Sequence, residues 1–275
     1  MISVVIPTYN RAKVISKILD NLIVQICSEW QCVIVDDHST DNTEAVVQQY
    51  VAKDSRFKYL KNTRAKGAQG ARNAGILAAD GEWICLFDSD DVMYPNYIER
   101  MQEGIDTSDA DVIACYAAIR STQTGEIKGY LDGVEEGQLQ KKLLAELAYV
   151  AYDVTLIRKD KLLEIGLLDE RCPSMQEWDT HLRLSKRCIY HVIPEVLCEW
   201  MVGSNDAISQ DSQKHNAGKL YIYRKHAWAF RRYAYRHFLY ALRGLWEQVS
   251  RPANILLWAP EMMVYMPLYK LIRNK

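Results

Sequence analysis

A chain of 275 residues with 49% hydrophobic residues, 34 Lys and Arg against 35 Asp and Glu, and only 13 Gly and 7 Pro is too apolar and too evenly charged to be disordered, collagenous or a coiled coil. Its length suits one large domain with an appendage, burying roughly 70% of the surface the unfolded chain exposes. The balance hides an asymmetry, because residues 219–275 hold 11 Lys and Arg against Glu247 and Glu261 alone, leaving 23 basic and 33 acidic residues before them; a basic tail on an acidic body points to an anionic surface as partner.

Taken in chain order, Ile2 to Ile6 is a β-branched run that Pro7 stops, the pattern of a short strand. Met1 leads straight into it, without a basic n-region, a long apolar stretch or a small-residue cleavage site, which predicts a protein that stays in the cytoplasm. From Ala12 to Ile26 the apolar residues Val14, Ile15, Ile18, Leu19, Leu22, Ile23 and Ile26 follow helical spacing. Cys32 to Val35 reads as a second strand, running into Asp36 and Asp37, and Ser39 or Thr40 caps a helix through Tyr50. Phe57 to Leu60 is a third strand before a glycine-containing loop. Ala71 to Ala79 is a helix, and Trp83 to Phe87 a fourth strand that runs into Asp88-Ser89-Asp90-Asp91. Repeated strand–helix units predict an α/β fold with a parallel, doubly wound sheet whose ligands sit beyond the carboxyl ends of the strands. Beyond Asp111 the pattern is mixed: a strand from Val112 to Ile119, a helix from Gln138 to Leu147, a strand from Val154 to Arg158 and a helix from Glu177 to Arg187. Near Ser209 the composition shifts toward Tyr, Trp and Arg, and a boundary is placed there.

Seven cysteines, an odd number and never in CxxC spacing, predict buried, reduced thiols rather than a zinc ribbon or a disulfide framework. The chemistry concentrates in loops that follow strands. Carboxylates that cluster need a cation to offset their repulsion, and Asp88 and Asp90 suit one hard ion such as Mg2+ or Mn2+; the same string also suits a solvated turn. Arg64, Lys66 and the loop from Gly67 to Arg72 precede a helix whose N-terminal amides and basic side chains would face a diphosphate. The alternative is that Arg72 pairs with a carboxylate to fix the loop. No GxGxxG or GxxxxGK[ST] string is present, so dinucleotide and P-loop readings lose their main support.

Five motifs occur together and in order: Val4-Val-Ile-Pro-Thr-Tyr-Asn10, Val35-Asp-Asp-His-Ser-Thr-Asp41, Gly70-Ala-Arg-Asn-Ala-Gly75, Leu86-Phe-Asp-Ser-Asp-Asp91 and Gln176-Glu-Trp-Asp-Thr-His-Leu-Arg-Leu184. In these the sequence resembles family 2 of the inverting, nucleotide-sugar-dependent glycosyltransferases. The resemblance implies a GT-A fold, Rossmann-like with a mostly parallel central sheet flanked by helices, over residues 1–208. Residues 1–110 would bind nucleotide and 111–208 acceptor, with 209–275 a helical, basic-aromatic extension. It implies that Pro7, Thr8, Tyr9 and Asn10 lie against the nucleotide. Asp37 would accept the uracil imide N–H, which favours UDP because cytosine N3 has no proton to give. Arg72 and Asn73 would help hold the nucleotide and the acidic loop, joined by Arg64 and Ser89. Asp90 would ligate Mn2+ or Mg2+ directly, and Asp88 would contact the ribose or a metal-bound water. The ion would stabilise the UDP leaving group. The general base of the family is an acidic residue at the start of a helix, usually in Glu-Asp-Trp-Asp. Glu177 stands here where that Asp is usual, with Asp179 as the second candidate. A single displacement would then invert the anomeric carbon. Trp178 either stacks on a sugar or fills the core, and His181 reads as a packed helix residue. Two other classes remain open, a sugar-1-phosphate nucleotidyltransferase and a non-catalytic nucleotide-binding subunit at a membrane.

From Tyr221 to Trp246 aromatic residues interleave with Arg224, Lys225, Arg231, Arg232, Arg236 and Arg243, as in helices that lie in a headgroup region and meet anionic lipid. The apolar stretch from Ile255 to Tyr269 is broken by Pro260, Glu261 and Pro267 and would lie in the interface rather than span it, since no window reaches about 18 apolar residues. The alternative is a helical subdomain packed on the catalytic body or on a second copy of the chain. Nucleic acid is disfavoured as a partner by the acidic body. The family context adds a saccharide acceptor, lipid-linked, at the inner face of the plasma membrane.

Overall fold

The computed structural model describes residues 1–203 and 212–263. Strands β1 (Ile2–Thr8), β2 (Trp30–Asp36), β3 (Phe57–Lys61) and β4 (Trp83–Leu86) alternate with helices α1 (Ile15–Ile23), α2 (Thr43–Val51) and α3 (Ala68–Ala78). Ile2, Val4, Val5 and Ile6 are all fully buried, which requires cover on both faces of the strand. The period of two sorts them. Val5, Val33, Val35, Ile84 and Leu86 join one core with Ala71 and Ile76 of α3, while Ile2, Val4, Ile6, Cys32 and Ile34 join a second with Ile15, Ile18 and Leu22 of α1.

The remaining elements are β5 (Val92–Met93), α4 (Tyr97–Thr107), β6 (Val112–Ser121), β7 (Ile127–Leu131), α5 (Gln140–Leu144), β8 (Thr155–Arg158), α6 (Lys159–Glu164), α7 (Gln176–Leu184) and β9 (Tyr190–Val202). Among the described residues the sheet has nine strands in the order β3-β2-β1-β4-β8-β6-β9-β5, with β7 paired to β6 off this path. The half from β3 to β4 is parallel throughout, as the strand–helix alternation predicts. At β8 the sheet turns antiparallel, β6 and β9 run parallel to each other, and β5 closes the edge antiparallel. The chain steps outward from β1 to β3 and returns to β4 on the other flank of β1. The carboxyl ends of β1 and β4 therefore meet at the point where strand order reverses.

Several boundaries differ from expectation for local reasons. Helix α2 starts at Thr43 rather than Ser39 or Thr40, whose N–H groups tie the loop to Asp36 (2.8 Å) and to the Asn10 side chain (2.8 Å). Helix α5 has five residues only. Strand β9 is thirteen residues long although Pro194 and Glu195 interrupt its pattern; the register against β6 jumps from Ala114↔Val192 to Tyr116↔Val196, so Pro194 sits in a bulge, where a missing N–H does no harm.

All seven cysteines are free, Cys27 half-buried and the others buried, in line with the thiol reading. The expected boundary near Ser209 lies outside the described residues. Helices α8 (Ser212–Lys225), α9 (Ala227–Tyr233) and α10 (Tyr235–Trp246), with a 3-10 turn at Pro252–Leu257, turn one face onto the body. Ile222, Tyr223, Phe230, Phe238 and Leu242 are fully buried in the same core as Val5 and Trp178. No helix among the described residues is long and apolar enough to cross a membrane.

Candidate active site

The ends of β1 and β2 are tied by the Asp37 N–H, which donates to the Thr8 carbonyl (2.8 Å). Asn10 follows at φ 52°, a backbone region that Asn tolerates better than most residues. Its N–H donates to Ser39 Oγ (2.9 Å) and its side-chain oxygen accepts from Thr40, so Asn10 joins the two loops. Pro7 and Thr8 are largely covered, and the Thr8 hydroxyl is buried without a partner. Tyr9 is 45% exposed, with the Lys66 ammonium 5.4 Å from its ring centre.

Asp37 is buried, and each of its oxygens already accepts one bond, from Asn62 Nδ2 (2.7 Å) and from the Gly67 N–H (2.8 Å). One lone pair per oxygen is left for a ligand. Asn62, which sequence reasoning missed, builds the loop: it also donates to the Ala65 carbonyl (3.0 Å) and accepts from the Arg64 N–H (2.9 Å). Gly67 opens α3 at φ 119°, a conformation L side chains rarely adopt, and a Cβ on Gly70 would stand 1.8 Å from the Ala65 carbonyl oxygen. That close approach is possible only for glycine.

The predicted basic and amide residues divide into two groups. Arg64 and Asn73 both reach Glu170, at 2.5 and 2.8 Å, and Asn73 exchanges two further bonds with the Leu168 backbone (3.0 Å each). They dock the 168–170 loop on α3, and the amide of Asn73 is spent there. Arg72 turns the other way. It is buried, pairs with Asp88 and Gln69 Oε1 (2.9 Å), and lies 4.9 Å from the Tyr152 ring centre. Burial pulls its pKa down, but Asp88, Tyr152 and Glu177 outweigh that and raise it, so it is a permanent cation at the site.

The acidic loop gathers a different set from the expected pair. Carboxylate oxygens of Asp88, Asp91 and Asp153 lie within 4.8 Å of one another, with Asp90 half-buried beside them and Ser89 buried. Asp153 accepts from the Asp88 N–H (2.6 Å) and Asp91 from the Met201 N–H (2.7 Å). Burial and the neighbouring carboxylates push the acid groups of Asp90, Asp91 and Asp153 up. An excess of buried carboxylates over nearby cations fits a hard divalent ion. Asp153 stands in the apolar run from Tyr149 to Val154, and its one signal in the sequence was that an aspartate in such a run is seldom buried without a purpose.

Helix α7 follows Met175, which holds φ 56°. Glu177 is half-buried yet closely surrounded; burial raises its pKa, Arg72 lowers it, Asp88 raises it, and the net shift is upward. Trp178 fills the core: its Nε1 donates to the Leu143 carbonyl (2.8 Å) and its ring lies 5.6 and 5.8 Å from those of Tyr223 and Phe230. His181 is a packed residue as expected, bonded through Nδ1 to the Tyr190 hydroxyl (2.9 Å) and pushed down to about 3 by burial. Asp179, with a side chain 1% exposed, is fully engaged by Arg183 Nε (2.9 Å), Lys225 Nζ (2.8 Å) and His226 Nε2 (2.8 Å). Burial would raise its pKa, but these three donors hold it below the usual range. The second base candidate is thus an anchor for the C-terminal helices.

A sequence profile of glycosyl transferase family 2 matches residues 3–166. Over 113 residues the chain is 35% identical to glycosyltransferase GlyG of Streptococcus pneumoniae serotype 4, covering 41% of this chain and 38% of that protein. Over 99 residues it is 38% identical to the UDP-Glc:alpha-D-GlcNAc-diphosphoundecaprenol beta-1,3-glucosyltransferase WfgD of Escherichia coli, covering 36% of this chain and 38% of the relative. These matches span less than two fifths of either relative. Among solved structures, S. aureus TarS 1-349 in complex with UDP-GlcNAc aligns at TM-score 0.65 and 18% identity, over 93% of this chain and 83% of that one. Mannosyltransferase PcManGT from Pyrobaculum calidifontis, in complex with GDP-Man and Mn2+, aligns at 0.60 and 19%, over 99% and 82%. At such identity the structural likeness shows the fold: a mixed α/β sheet with flanking helices, as in those glycosyltransferases.

Proposed function

The chain belongs to glycosyl transferase family 2, and from that premise we propose that it moves a hexosyl group from a UDP-sugar to a saccharide acceptor by one inverting displacement. One observation carries the proposal: the buried Arg72 pairs with Asp88 of the acidic loop and stands within electrostatic reach of Glu177, whose pKa burial raises. The site lies at the carboxyl ends of β1 and β4.

Tyr9 offers a ring to the uracil, and the free lone pairs of Asp37 suit the imide N–H. Asp90 and Asp88 would hold Mn2+ or Mg2+, which supplies positive charge to the departing diphosphate. Arg72 keeps Asp88 oriented and adds a fixed cation beside it. Glu177 takes the proton of the acceptor hydroxyl as that oxygen bonds to the anomeric carbon; the bond from carbon to diphosphate oxygen breaks, its electrons leave with UDP, and the configuration inverts. A base whose pKa is raised toward the working pH gains proton affinity while it stays ionised. The bonds that Asp179 accepts from Arg183, Lys225 and His226 favour Glu177 over it in this role.

A lipid-linked acceptor is supported by the name of the WfgD relative, and bacterial polysaccharide synthesis also by the relative named succinoglycan biosynthesis protein ExoO. The outward faces of α9 and α10 agree with work at the inner face of an anionic membrane. Trp228 is 69% and Tyr240 66% exposed, and Arg232, Tyr233, Tyr235 and Arg236 are exposed with them. Rings at headgroup depth and cations on anionic lipid are the two terms such binding needs.

The test is UDP release from a panel of UDP-sugars, with and without Mn2+, in the unaltered chain and in Asp90→Ala. Metal-dependent release from one donor, lost in the variant, is expected. Absence of UDP binding in the presence of Mn2+ would refute the reading.

A further inference from the structure

Two aromatic rings of the cleft have no part in the chemistry above. Tyr149 and Trp200 stack with centroids 6.3 Å apart and planes 23° from parallel. Tyr149 lies in the segment between α5 and β8 and Trp200 on β9, and each is tied to the reacting groups by its chain neighbours. Three residues after Tyr149, the Tyr152 ring faces Arg72 and its hydroxyl bonds Thr180 Oγ1 of α7 (2.9 Å); one residue further, Asp153 receives the Asp88 N–H. On β9, Met201 follows Trp200 and gives its N–H to Asp91, while Glu199 before it is locked by Arg120 (2.6 Å) and the Tyr94 hydroxyl (2.8 Å). Tyr149 is 38% exposed although protein crowds its ring, and Glu177, Asp153 and Asp88 all lie within electrostatic reach of its phenol.

We propose that Tyr149 and Trp200 form the platform on which the sugar ring of the acceptor rests, placing its hydroxyl toward Glu177. The inference rests on the glycosyltransferase reading and adds to it the residues that hold the acceptor. The two rings themselves bring no cation to a diphosphate or an anionic headgroup. They suit a neutral pyranose, which has an apolar C–H face to lay on a ring and hydroxyls at its rim for polar neighbours. The nucleobase has its own ring, Tyr9, on the loop after β1, the far side of the site from β9 in strand order.

The experiment uses the full chain and octyl glycosides of glucose, galactose and N-acetylglucosamine in both anomeric forms, followed by saturation-transfer NMR with and without UDP and Mn2+. Contact through pyranose ring protons is expected for at least one glycoside. Tyr149→Ala and Trp200→Ala should weaken it about tenfold, near 1.4 kcal/mol, while Tyr149→Phe and Trp200→Phe retain most of it and all four variants bind UDP as before. Undiminished glycoside contact in both alanine variants overturns the platform, as does absence of contact from the whole panel in the unaltered chain. Failure of UDP to bind would instead overturn the donor reading, and the arm without UDP still judges the platform alone.

Discussion

Replacing Asp179 by Asn keeps the shape of the side chain and removes its charge. The carboxylate is 1% exposed, against 13% for the Arg183 side chain, 25% for Lys225 and 5% for His226. Stripping one partner from a buried ion pair costs about 3–5 kcal/mol. The lower end applies, because Lys225 keeps Asp169 at 2.7 Å and Arg183 keeps the carbonyls of Ile165 (3.0 Å) and Leu167 (2.6 Å). A melting entropy of about 2.1 cal/mol/K per residue makes about 0.6 kcal/mol/K for a chain of this length, so Tm should fall by about 5 °C. Circular-dichroism melts at pH 7.5 read this directly. The folded carboxyl is held below its unfolded value, so its stabilisation is present above about pH 4 and is lost as the pH falls through the folded pKa. The gap between unaltered and variant chains should therefore close in strong acid. Measured well below Tm, kcat should fall less than about tenfold, against the 100-fold or more expected on losing a general base. A Tm change under about 1 °C would refute the anchor. A loss of kcat beyond 100-fold in a folded variant would restore Asp179 as the base.

Glu177→Gln should lower sugar transfer by about 10²–10⁴-fold with UDP affinity unchanged, and the acid limb of kcat/KM in the unaltered chain should lie above the ordinary glutamate value, because the net shift of Glu177 is upward; unchanged turnover rejects it. His181 stays neutral when buried down to about pH 3, whereas the unfolded chain protonates it near 6.5, so it makes folding less favourable as pH falls below 6.5, by about 1.4 kcal/mol per unit. Urea titrations should show that part of the pH slope vanishing in His181→Gln, and a parallel pair of curves would contradict it. Trp228→Ala combined with Tyr240→Ala should release the chain from vesicles containing anionic lipid without changing Tm, since both rings face outward. Full retention on the vesicles would remove the membrane surface from the proposal.

Strands β1, β2 and β4 of the parallel half were legible because they are buried on both faces and read as nearly continuous apolar runs. Strand β9 was not, since Pro194, Glu195 and Glu199 each argue against a strand; the bulge against β6 and the pairing of Glu199 with Arg120 resolve them, and both depend on residues distant in sequence. The acidic loop was visible as a string, but its buried partner Asp153 belongs to no string. Asn10 reads in the sequence as a nucleotide contact and Asn62 belongs to no motif, although each pins two loops. Glu177 and Asp179 stand two apart on α7, about 200° around the helix, so they were bound to face different surroundings. Among the partners that engage Asp179 is His226, 47 residues beyond it.

That last contact changes what an experiment on the C-terminal region can show. A helical pattern in a sequence predicts an apolar face without saying what covers it, and α8 to α10 use theirs to cover Trp178 and the core beneath α7. Removing everything after residue 218 would take Lys225 and His226 from the buried Asp179, and Tyr223 and Phe230 from Trp178. The helix that carries Glu177 would lose its packing and the neutralisation of its buried charge together. Such a truncated chain would lose activity whether or not these helices meet a membrane, so release of it from vesicles would be ambiguous. Substitutions on the outward face, at Trp228 and Tyr240, leave the Asp179 network and the core in place. Only they separate a surface that meets lipid from a support that holds α7 in position.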